Sequence, residues 1–515
     1  MASLAHLSRL VRKRRGLVAM SALLVCALAL RAVSLGEHRF HEDEALYASW
    51  ALLTVEDPAL VSVPVDKPPL HPYLLAAVFR LLGRSELGFR LPNLYASVTS
   101  VALLYGLGKA LYDRSTAIIA AALFSASPFA ILFSRTAFVD PLLVLWVLLA
   151  SWAAVARKPT LAGAALGLAY ATKQQGALLA LLVIALAVRE RWGPARVTRI
   201  FSDTAARAAG ALLLIIGAVT WWDSLRWHLQ PSFWDRSVTT YGGLELVPLS
   251  AWAQRLTGWL ELLALVFGSP VLNALLLAGL SLQLVGAVRR FRSDSQSRSD
   301  LLLSVYLIAY LVLHVVIGFR VWDRYLLPMV PVLCLLLARS ILVLLRRAPR
   351  WLAWMRVSTG HTPARRLAFG LLAALLVRPA CLGARSRLPV GSDHGAYEGI
   401  DRLAAYAQAS LPPASTLYYH WLGWHYGYYL HGAPFDLVWY PDPPSLAQGA
   451  ASNSGAIRAI AFPAWRDSVP MRQALSDRGL TLVPQAATYR RDGTRSFALY
   501  LITDGDLAST GGGDG

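Results

Sequence analysis

Charged residues are scarce in this chain of 515 residues. Asp, Glu, Lys and Arg together make up 15% of it, whereas 56% of the residues are hydrophobic and the mean hydropathy is +0.47. A soluble globule needs more polar surface than this composition supplies, so that class is excluded. Cysteine is scarce as well: Cys26, Cys334 and Cys381 all lie in apolar stretches. This placement predicts buried, inert thiols rather than a disulfide framework or a metal site.

Long apolar runs recur over the first three quarters of the sequence. A helix needs about 20 residues to cross roughly 30 Å of hydrocarbon, and a helix satisfies its own backbone groups in lipid. The runs predict a polytopic α-helical membrane protein with about eleven spans. We place the spans at about 17–35, 91–111, 114–133, 138–155, 160–172, 176–188, 208–222, 259–288, 301–319, 325–345 and 367–381.

Acidic residues are outnumbered by basic ones, and the net charge is +19. The basic excess lies in segments that connect alternate spans, and the positive-inside rule places such segments in the cytoplasm. The charge therefore reflects topology and attraction to anionic lipid rather than nucleic-acid binding, for which we see no basic, aromatic-interleaved soluble module. The basic segments are residues 1–16, 108–116, 156–160, 189–207, 289–300 and 346–366.

The apolar stretch Leu70–Leu82 is too short to span a bilayer easily. An interfacial or re-entrant helix there keeps the basic segments on one side, so residues 36–90 form one external loop. Residues 1–384 then form the membrane domain. The run from Gly16 is interpreted as a retained span, and a cleaved signal peptide with Ala27 and Ala29 near the cut is the alternative.

The composition changes beyond about residue 385, where Pro-Pro pairs and turn clusters separate short elements. Residues 385–508 are predicted to form a soluble α/β domain, and the Gly-rich tail 509–515 is predicted to be disordered. An odd number of spans places this domain outside. The predicted helices are 397–410 and 469–478, and the predicted strands are 415–420, 456–462, 480–485 and 496–502.

Three carboxylates, Glu42, Asp43 and Glu44, begin an amphipathic helix in the first external loop. Helix capping and the helix dipole explain them locally. Charges at a bilayer boundary are costly, however, and usually line a cavity or pair with one another, although a single cation can also snorkel to the headgroups. Several cations fall on the same predicted face as these acids: Lys67, Arg135, Lys173, Arg320 and Arg324.

A cationic pocket beside carboxylates and an apolar groove suits a lipid phosphate, with its tail among the helices. With an acceptor hydroxyl, sugar transfer becomes possible: Asp43 would be the general base, and the cations would stabilise the departing phosphate.

Six short motifs occur in an order that resembles the protein O-mannosyltransferase family. They are Asp43-Glu44 with Tyr47, Asp66 to Leu70, Phe89 to Asn93, Ser134 to Pro141, Thr172-Lys173, and Asp323 to Pro328. The chain is also similar to that family's bacterial relatives, including the aminoarabinose transferase that modifies lipid A and the galacturonosyltransferases of lipopolysaccharide core. The likeness extends over roughly residues 15–345. It implies the GT-C architecture, a lipid-phosphate sugar donor and inversion at the sugar carbon.

The resemblance also implies roles for single residues. Asp43 would be the catalytic carboxylate with Glu44 beside it. Some relatives carry Glu before the Lys-Pro-Pro-Leu run and are candidates to hold a divalent metal there; this chain has the shorter Asp66, which leaves metal use undecided. The predicted donor phosphate-binding residues are Lys67, Arg135, Lys173 and Arg324, and the predicted supporting residues are Tyr47, Asp140 and His71.

The sequence therefore predicts a membrane glycosyltransferase of the bacterial inner membrane, with its active site and C-terminal domain outside the cytoplasm. Its partners would be a polyprenyl-phosphate sugar donor, membrane lipid and a glycan, lipid or protein acceptor. A transporter or flippase of a lipid-linked substrate, or a non-catalytic anchor for the external domain, are the alternatives. The aromatic segment 418–431 could bind the acceptor, dock over the first loop or pack the domain core.

Overall fold

The computed structural model describes residues 2–189, 203–291, 294–347, 362–391 and 394–505. Side chains are described in these ranges except at residues 2–15, 203, 346–347 and 362–369. The predicted tail 509–515 lies outside the described residues. So do six members of the basic segments, Arg191, Arg196, Arg199, Arg292, Arg350 and Arg356.

The chain forms two compact units. The first unit comprises residues 1–35, 57–78 and 88–392, and the second comprises residues 36–56, 79–87 and 393–515. Parts of the predicted first external loop therefore belong to the same unit as the C-terminal domain.

Helices dominate the described residues up to residue 391. They are α1 Ala2–Ala32, α2 Glu42–Leu53, α3 Leu70–Leu82, α4 Glu86–Leu111, α5 Arg114–Ala126, α6 Pro128–Phe133, α7 Asp140–Val155, α8 Pro159–Thr172, α9 Gln175–Val188, α10 Asp203–Ser224, α11 Phe233–Thr240, α12 Leu249–Phe267, α13 Pro270–Arg290, α14 Ser295–Val316, α15 Asp323–Leu326, α16 Val330–Arg347 and α17 Thr362–Ala384. A short 3-10 turn, Leu327–Met329, joins α15 to α16. Cys26, Cys334 and Cys381 lie in α1, α16 and α17 as free thiols. Cys334 is buried as predicted, whereas Cys26 and Cys381 are exposed on the protein surface, so the prediction of burial is wrong for these two.

Within the described ranges, five helices are long and apolar enough to cross a membrane. They are Glu86–Leu111, Thr204–Ser224, Pro270–Arg290, Ser295–Val316 and Asp323–Leu345. Shorter apolar helices include Gly16–Ala32, Leu70–Leu82, Arg114–Ala126, Asp140–Val155, Gln175–Val188 and Gly370–Ala384. The predicted multi-pass α-helical membrane protein is confirmed, whereas the count of about eleven spans stays a prediction.

The predicted single span over 259–288 is wrong, because α12 and α13 take its place. Gly268 ends α12 in the left-handed conformation, with φ of 57°. The Ser269 hydroxyl then accepts a hydrogen bond from the amide of Leu272, and Pro270 occupies the first turn of α13, where no amide hydrogen is required. Apolar residues continue on both sides of this break, so hydrophobicity alone does not reveal it.

The C-terminal part of the second unit contains a five-stranded mixed sheet. Its strands are β1 Thr416–Tyr419, β2 Asp436–Trp439, β3 Arg458–Pro463, β4 Leu480–Tyr489 and β5 Arg495–Asp504. Their order is β2-β1-β3-β5-β4; the first three are parallel, and β5 is antiparallel to both β3 and β4. The helices here are α18 Ile400–Ser410, α19 Gly423–Tyr429, α20 Pro443–Ser452 and α21 Val469–Ser476.

The sheet separates two apolar layers. Alternate residues of a strand face opposite sides, so Ala459 and Ala461 of β3 enter one layer, whereas Ile460 and Phe462 enter the other. Helices α18 and α19 cover the first layer, and α20 and α21 cover the second. The predicted C-terminal α/β domain is thus confirmed as a fold. Strand β2 and helices α19 and α20 were not predicted.

Candidate active site

Lys67 lies in the loop before α3 and is only 5% exposed. Its ammonium group donates to Asp66 Oδ2 at 2.8 Å and to the Tyr241 hydroxyl at 3.0 Å. The Tyr241 hydroxyl donates in turn to Asp66 Oδ2. Gln174 Nε2 donates to the carbonyl oxygen of Asp66 at 2.7 Å, which fixes this loop. An ammonium group has three N–H donors, so one donor of Lys67 is unused in these contacts.

Lys173 lies in the turn between α8 and α9 and is also 5% exposed. It donates to Asp140 Oδ1 at 2.6 Å, and its Nζ lies 4.7 Å from the centre of the Tyr325 ring. Burial lowers the pKa of Lys173 to about 8; Asp140 opposes this shift, and the charges of Arg324 and Lys67 add to it. The three cations are therefore close enough to interact.

Arg324 is the second residue of the short helix α15. Its guanidinium lies 4.1 Å from the Trp322 ring centre and 6.0 Å from that of Phe138. The preceding Asp323 accepts hydrogen bonds from the amide of Gly391 and from the amide of Arg324, each at 2.7 Å. These contacts hold α15 against the end of the first unit.

We call Lys67, Lys173 and Arg324, together with Asp66, Asp140 and Tyr241, the cationic cluster. It contains buried polar atoms without a hydrogen-bond partner: Asp66 Oδ1 and Asp140 Oδ2. Leaving a buried polar atom without a partner costs about 1–3 kcal/mol. Such unused hydrogen-bonding capacity, together with the unused donors of both lysines, is typical of a site that binds a polar ligand.

Asp66 does not fit the metal site left open by the sequence. Its Oδ2 atom is engaged by Lys67 and Tyr241, and an ammonium group 2.8 Å away repels a divalent cation. A hard cation also needs several oxygen ligands, and within the described part of the chain no three or more His, Cys, Asp or Glu side chains are grouped so that they could hold a metal ion.

Two predicted site residues of the first unit have other surroundings. The Arg135 guanidinium donates to the carbonyl oxygens of Gly383 and Ala384 at 2.7 Å and to the Ser386 hydroxyl at 2.8 Å, so it caps the C-terminal end of α17. These contacts occupy both terminal nitrogens, and phosphate binding by Arg135 stays a prediction. His71 is fully buried in the first turn of α3.

In the second unit, the predicted acids begin α2. His41 is the N-cap: its Nδ1 atom accepts from the amide of Asp43 at 3.0 Å. Glu44 completes the capping box, because its Oε2 atom accepts from the amide of His41 at 3.0 Å, and Glu44 is fully buried. The Asp43 side chain retains 20% exposure. The two neighbouring carboxylates thus differ: Glu44 is used in capping, whereas Asp43 reaches the surface of its unit.

Helix α19 supports α2 within the second unit. The Ser49 hydroxyl donates to the carbonyl oxygen of Trp424 at 3.0 Å, and Trp50 packs edge-on against the Trp424 ring. His425 Nε2 lies 3.0 Å from the Phe40 carbonyl oxygen just before α2. Gly427 faces Ser49 so closely that a Cβ atom there would lie 2.4 Å from Ser49 Oγ. The aromatic segment 418–431 therefore packs on the first loop as well as on the domain core.

Three comparisons place this arrangement among known proteins. A family model described as dolichyl-phosphate-mannose-protein mannosyltransferase matches residues 66–222. A putative mannosyltransferase, YkcB of Bacillus subtilis (strain 168), is 36% identical over 90 residues, which are 18% of this chain and only 13% of that protein.

Solved structures match over far more of the chain. ArnT from Cupriavidus metallidurans in the apo state has a TM-score of 0.66 at 16% identity, covering 95% of this chain and 98% of that one. The fold is that of the GT-C glycosyltransferases. ArnT bound to undecaprenyl phosphate has a TM-score of 0.57 at 15% identity and covers 94% and 97% of the two chains. The apo oligosaccharyltransferase of Archaeoglobus fulgidus has a TM-score of 0.55 at 12% identity, covering 87% and 69%.

The resemblance inferred from the motifs is thereby confirmed. Sequence reasoning missed Tyr241 in the cationic cluster, Gln174 beside the cluster and Gly427 against α2. Tyr241 and Gly427 are separated from their partners by 174 or more residues along the chain. Gln174 alone carried a local signal, because it follows Lys173 directly.

Proposed function

We propose that this GT-C protein transfers a sugar from a polyprenyl-phosphate donor to a hydroxyl group of a protein, lipid or glycan acceptor, with inversion at the sugar carbon. It would act on the extracytoplasmic face of a bacterial inner membrane. The observation that carries the proposal is the buried cationic cluster, whose lysines have N–H donors left for a phosphate. ArnT, with the same fold, has been crystallised with undecaprenyl phosphate, a ligand of the proposed donor class.

The reaction is a single displacement. The acceptor oxygen attacks the anomeric carbon opposite the phosphate, the bond from that carbon to the phosphate oxygen breaks, and polyprenyl phosphate leaves with the electron pair. Asp43 takes the hydroxyl proton, because its side chain is partly exposed whereas that of Glu44 is buried in the capping box. Lys67, Lys173 and Arg324 stabilise the charge on the leaving phosphate, and Asp140 orients Lys173.

Other residues support this arrangement. Tyr47 and Glu44 are buried in α2 and fix the helix, Arg135 holds the end of α17, and His71 lies in the first turn of α3.

A transfer assay tests the proposal. Purified wild-type protein and Asp43→Asn are incubated with a panel of radiolabelled polyprenyl-phosphate sugars and a membrane extract. We expect the wild type to label an acceptor and Asp43→Asn to lose at least about 100-fold in rate, because general-base catalysis contributes roughly 10²–10⁴-fold. Asp477→Asn, an acid at the end of α21, is the matched control and should remain active. Transfer from no donor would favour the transporter alternative.

A further inference from the structure

The connections of the second-unit sheet reverse direction between β1 and β3. Helix α19 follows β1, covers one face of the sheet and leads to β2, whereas α21 follows β3, covers the other face and leads to β4. The chain therefore leaves β1 and β3 towards opposite edges of the sheet. Open α/β sheets bind ligands at such a point, outside the carboxyl ends of their strands. The residues that follow the two strands here are His420 and Trp421 after β1, and Trp465 and Arg466 after β3.

Aromatic and cationic side chains project from this edge. Trp465 is 41% exposed although its ring is held by three neighbours: Tyr397 at 5.4 Å, Phe497 at 5.2 Å and the Arg490 guanidinium at 5.3 Å. Arg466 is exposed, and its guanidinium lies 5.9 Å from the Trp421 ring centre. A large aromatic side chain that is rigidly packed yet exposed provides a preformed contact surface for a ligand.

The N-terminus of α2 lies beside the same edge. Tyr397, which contacts Trp465, also packs edge-on against His41 with ring centres 6.5 Å apart. The pKa of Glu42 is raised by partial burial and by Asp43, and the nearby charges of His41 and Arg466 oppose this shift. Arg466 therefore lies within electrostatic range of Glu42, at the start of α2.

We propose that Trp465, Trp421 and Arg466 form a platform that binds a sugar ring of the acceptor. The apolar C–H face of a sugar stacks on an aromatic ring, and its hydroxyl groups accept hydrogen bonds from a guanidinium and donate to a carboxylate. Glu42 supplies such a carboxylate next to Asp43. This assignment rests on the proposed transferase function and narrows its acceptor class to glycans or glycosylated molecules.

Sugar binding can be measured without catalysis. Full-length wild type, Trp465→Ala, Arg466→Ala and the control Tyr406→Ala, an exposed aromatic residue of α18, are titrated in detergent. The probes are methyl α-D-mannopyranoside, methyl β-D-galactopyranoside and methyl α-D-arabinofuranoside, and binding is followed by saturation-transfer NMR. We expect at least one probe to bind the wild type and the control alike, and about tenfold more weakly to the two platform variants.

Binding that is unchanged in Arg466→Ala, or absent from the wild type with all three probes, would overturn the platform. If Trp465→Ala fails to fold, Arg466→Ala alone tests the platform. Arg466 is exposed, so its replacement should leave the fold intact. Donor cleavage by the wild type alone, measured on the same preparation, tests the transferase function separately. A protein that binds sugar but cleaves no donor would refute only the proposed reaction.

Discussion

Replacing Gly427 by alanine should disturb the helix that carries Asp43. The added methyl group would lie 2.4 Å from Ser49 Oγ, about 1 Å closer than ordinary contact, which begins at 3.4 Å. Ser49 is only 2% exposed, so either its hydroxyl turns away and loses the hydrogen bond to the Trp424 carbonyl, or α2 and α19 move apart. Overpacking of this kind costs about 1–3 kcal/mol. A displacement of about 1 Å at a catalytic group can also lower a rate by about 100-fold.

The structure supplies a rescue for this variant. Removing the Ser49 hydroxyl leaves Ser49 Cβ 3.4 Å from the added methyl group, which is an acceptable contact. Ser49→Ala alone loses the hydrogen bond to the Trp424 carbonyl, worth about 1 kcal/mol. The double variant should therefore resemble Ser49→Ala rather than the sum of both changes.

Two assays compare the wild type, the two single variants and the double variant: thermal unfolding of the purified protein and sugar transfer from the labelled donors. Gly455→Ala is the matched control, because a Cβ atom there meets nothing within 4 Å. A Gly427→Ala variant with wild-type stability and rate, or one that Ser49→Ala does not rescue, would refute the packing that we infer between α2 and α19.

Three further predictions follow from the contacts described above. Glu44→Ala should lower the free energy of unfolding by about 1 kcal/mol through loss of the capping box, whereas Glu44→Gln should largely preserve it; denaturant titration distinguishes them. Asp140→Asn and Lys173→Met each break a buried ion pair, and each should lower the free energy of unfolding by about 3–5 kcal/mol. The double variant leaves no unpaired charge and should be more stable than either single variant in thermal unfolding. Burial lowers the pKa of His425 to about 3 in the folded protein. Between about pH 6.5 and pH 3 the unfolded chain therefore binds a proton that the folded protein does not. The free energy of unfolding should fall by up to roughly 1.4 kcal/mol for each pH unit that the pH is lowered in this range. His425→Gln should flatten that dependence, and an unchanged slope would contradict the assignment.

Local signals in the sequence predicted the elements they control. Polar caps and prolines mark helix starts, so the predicted helix over Leu70–Leu82 has the bounds that the structure shows. The edge strand β2 was not predicted, because its sequence lacks the alternation of apolar and polar residues that is typical of a half-buried strand. Three of its four residues are exposed. The break at Gly268 was missed for the opposite reason, because its flanks are uniformly apolar.

The candidate site likewise contains some residues that local sequence signals predict and others that only tertiary packing brings together. Charged residues at the ends of apolar runs identified Lys67, Lys173, Asp140 and Arg324, because such placement in a membrane protein is costly. Their neighbour Tyr241 depends on tertiary packing over a long separation in sequence. The difference between Asp43 and Glu44 likewise depends on the structure. Of these two adjacent carboxylates, it is Glu44 whose side chain accepts the hydrogen bond from the amide of the N-cap residue His41.

The support of α2 by α19 has a consequence for biosynthesis. The acid-bearing helix emerges from the ribosome among the first tenth of the polypeptide, yet the surface that buries it is encoded near residues 423–429. Until that late segment has been translocated, Trp50 and its neighbours have no partner surface from α19. The first external loop would therefore reach its final packing only when translation is nearly complete. Chains that end before α19 would insert into the membrane without the surface that holds the helix of Asp43.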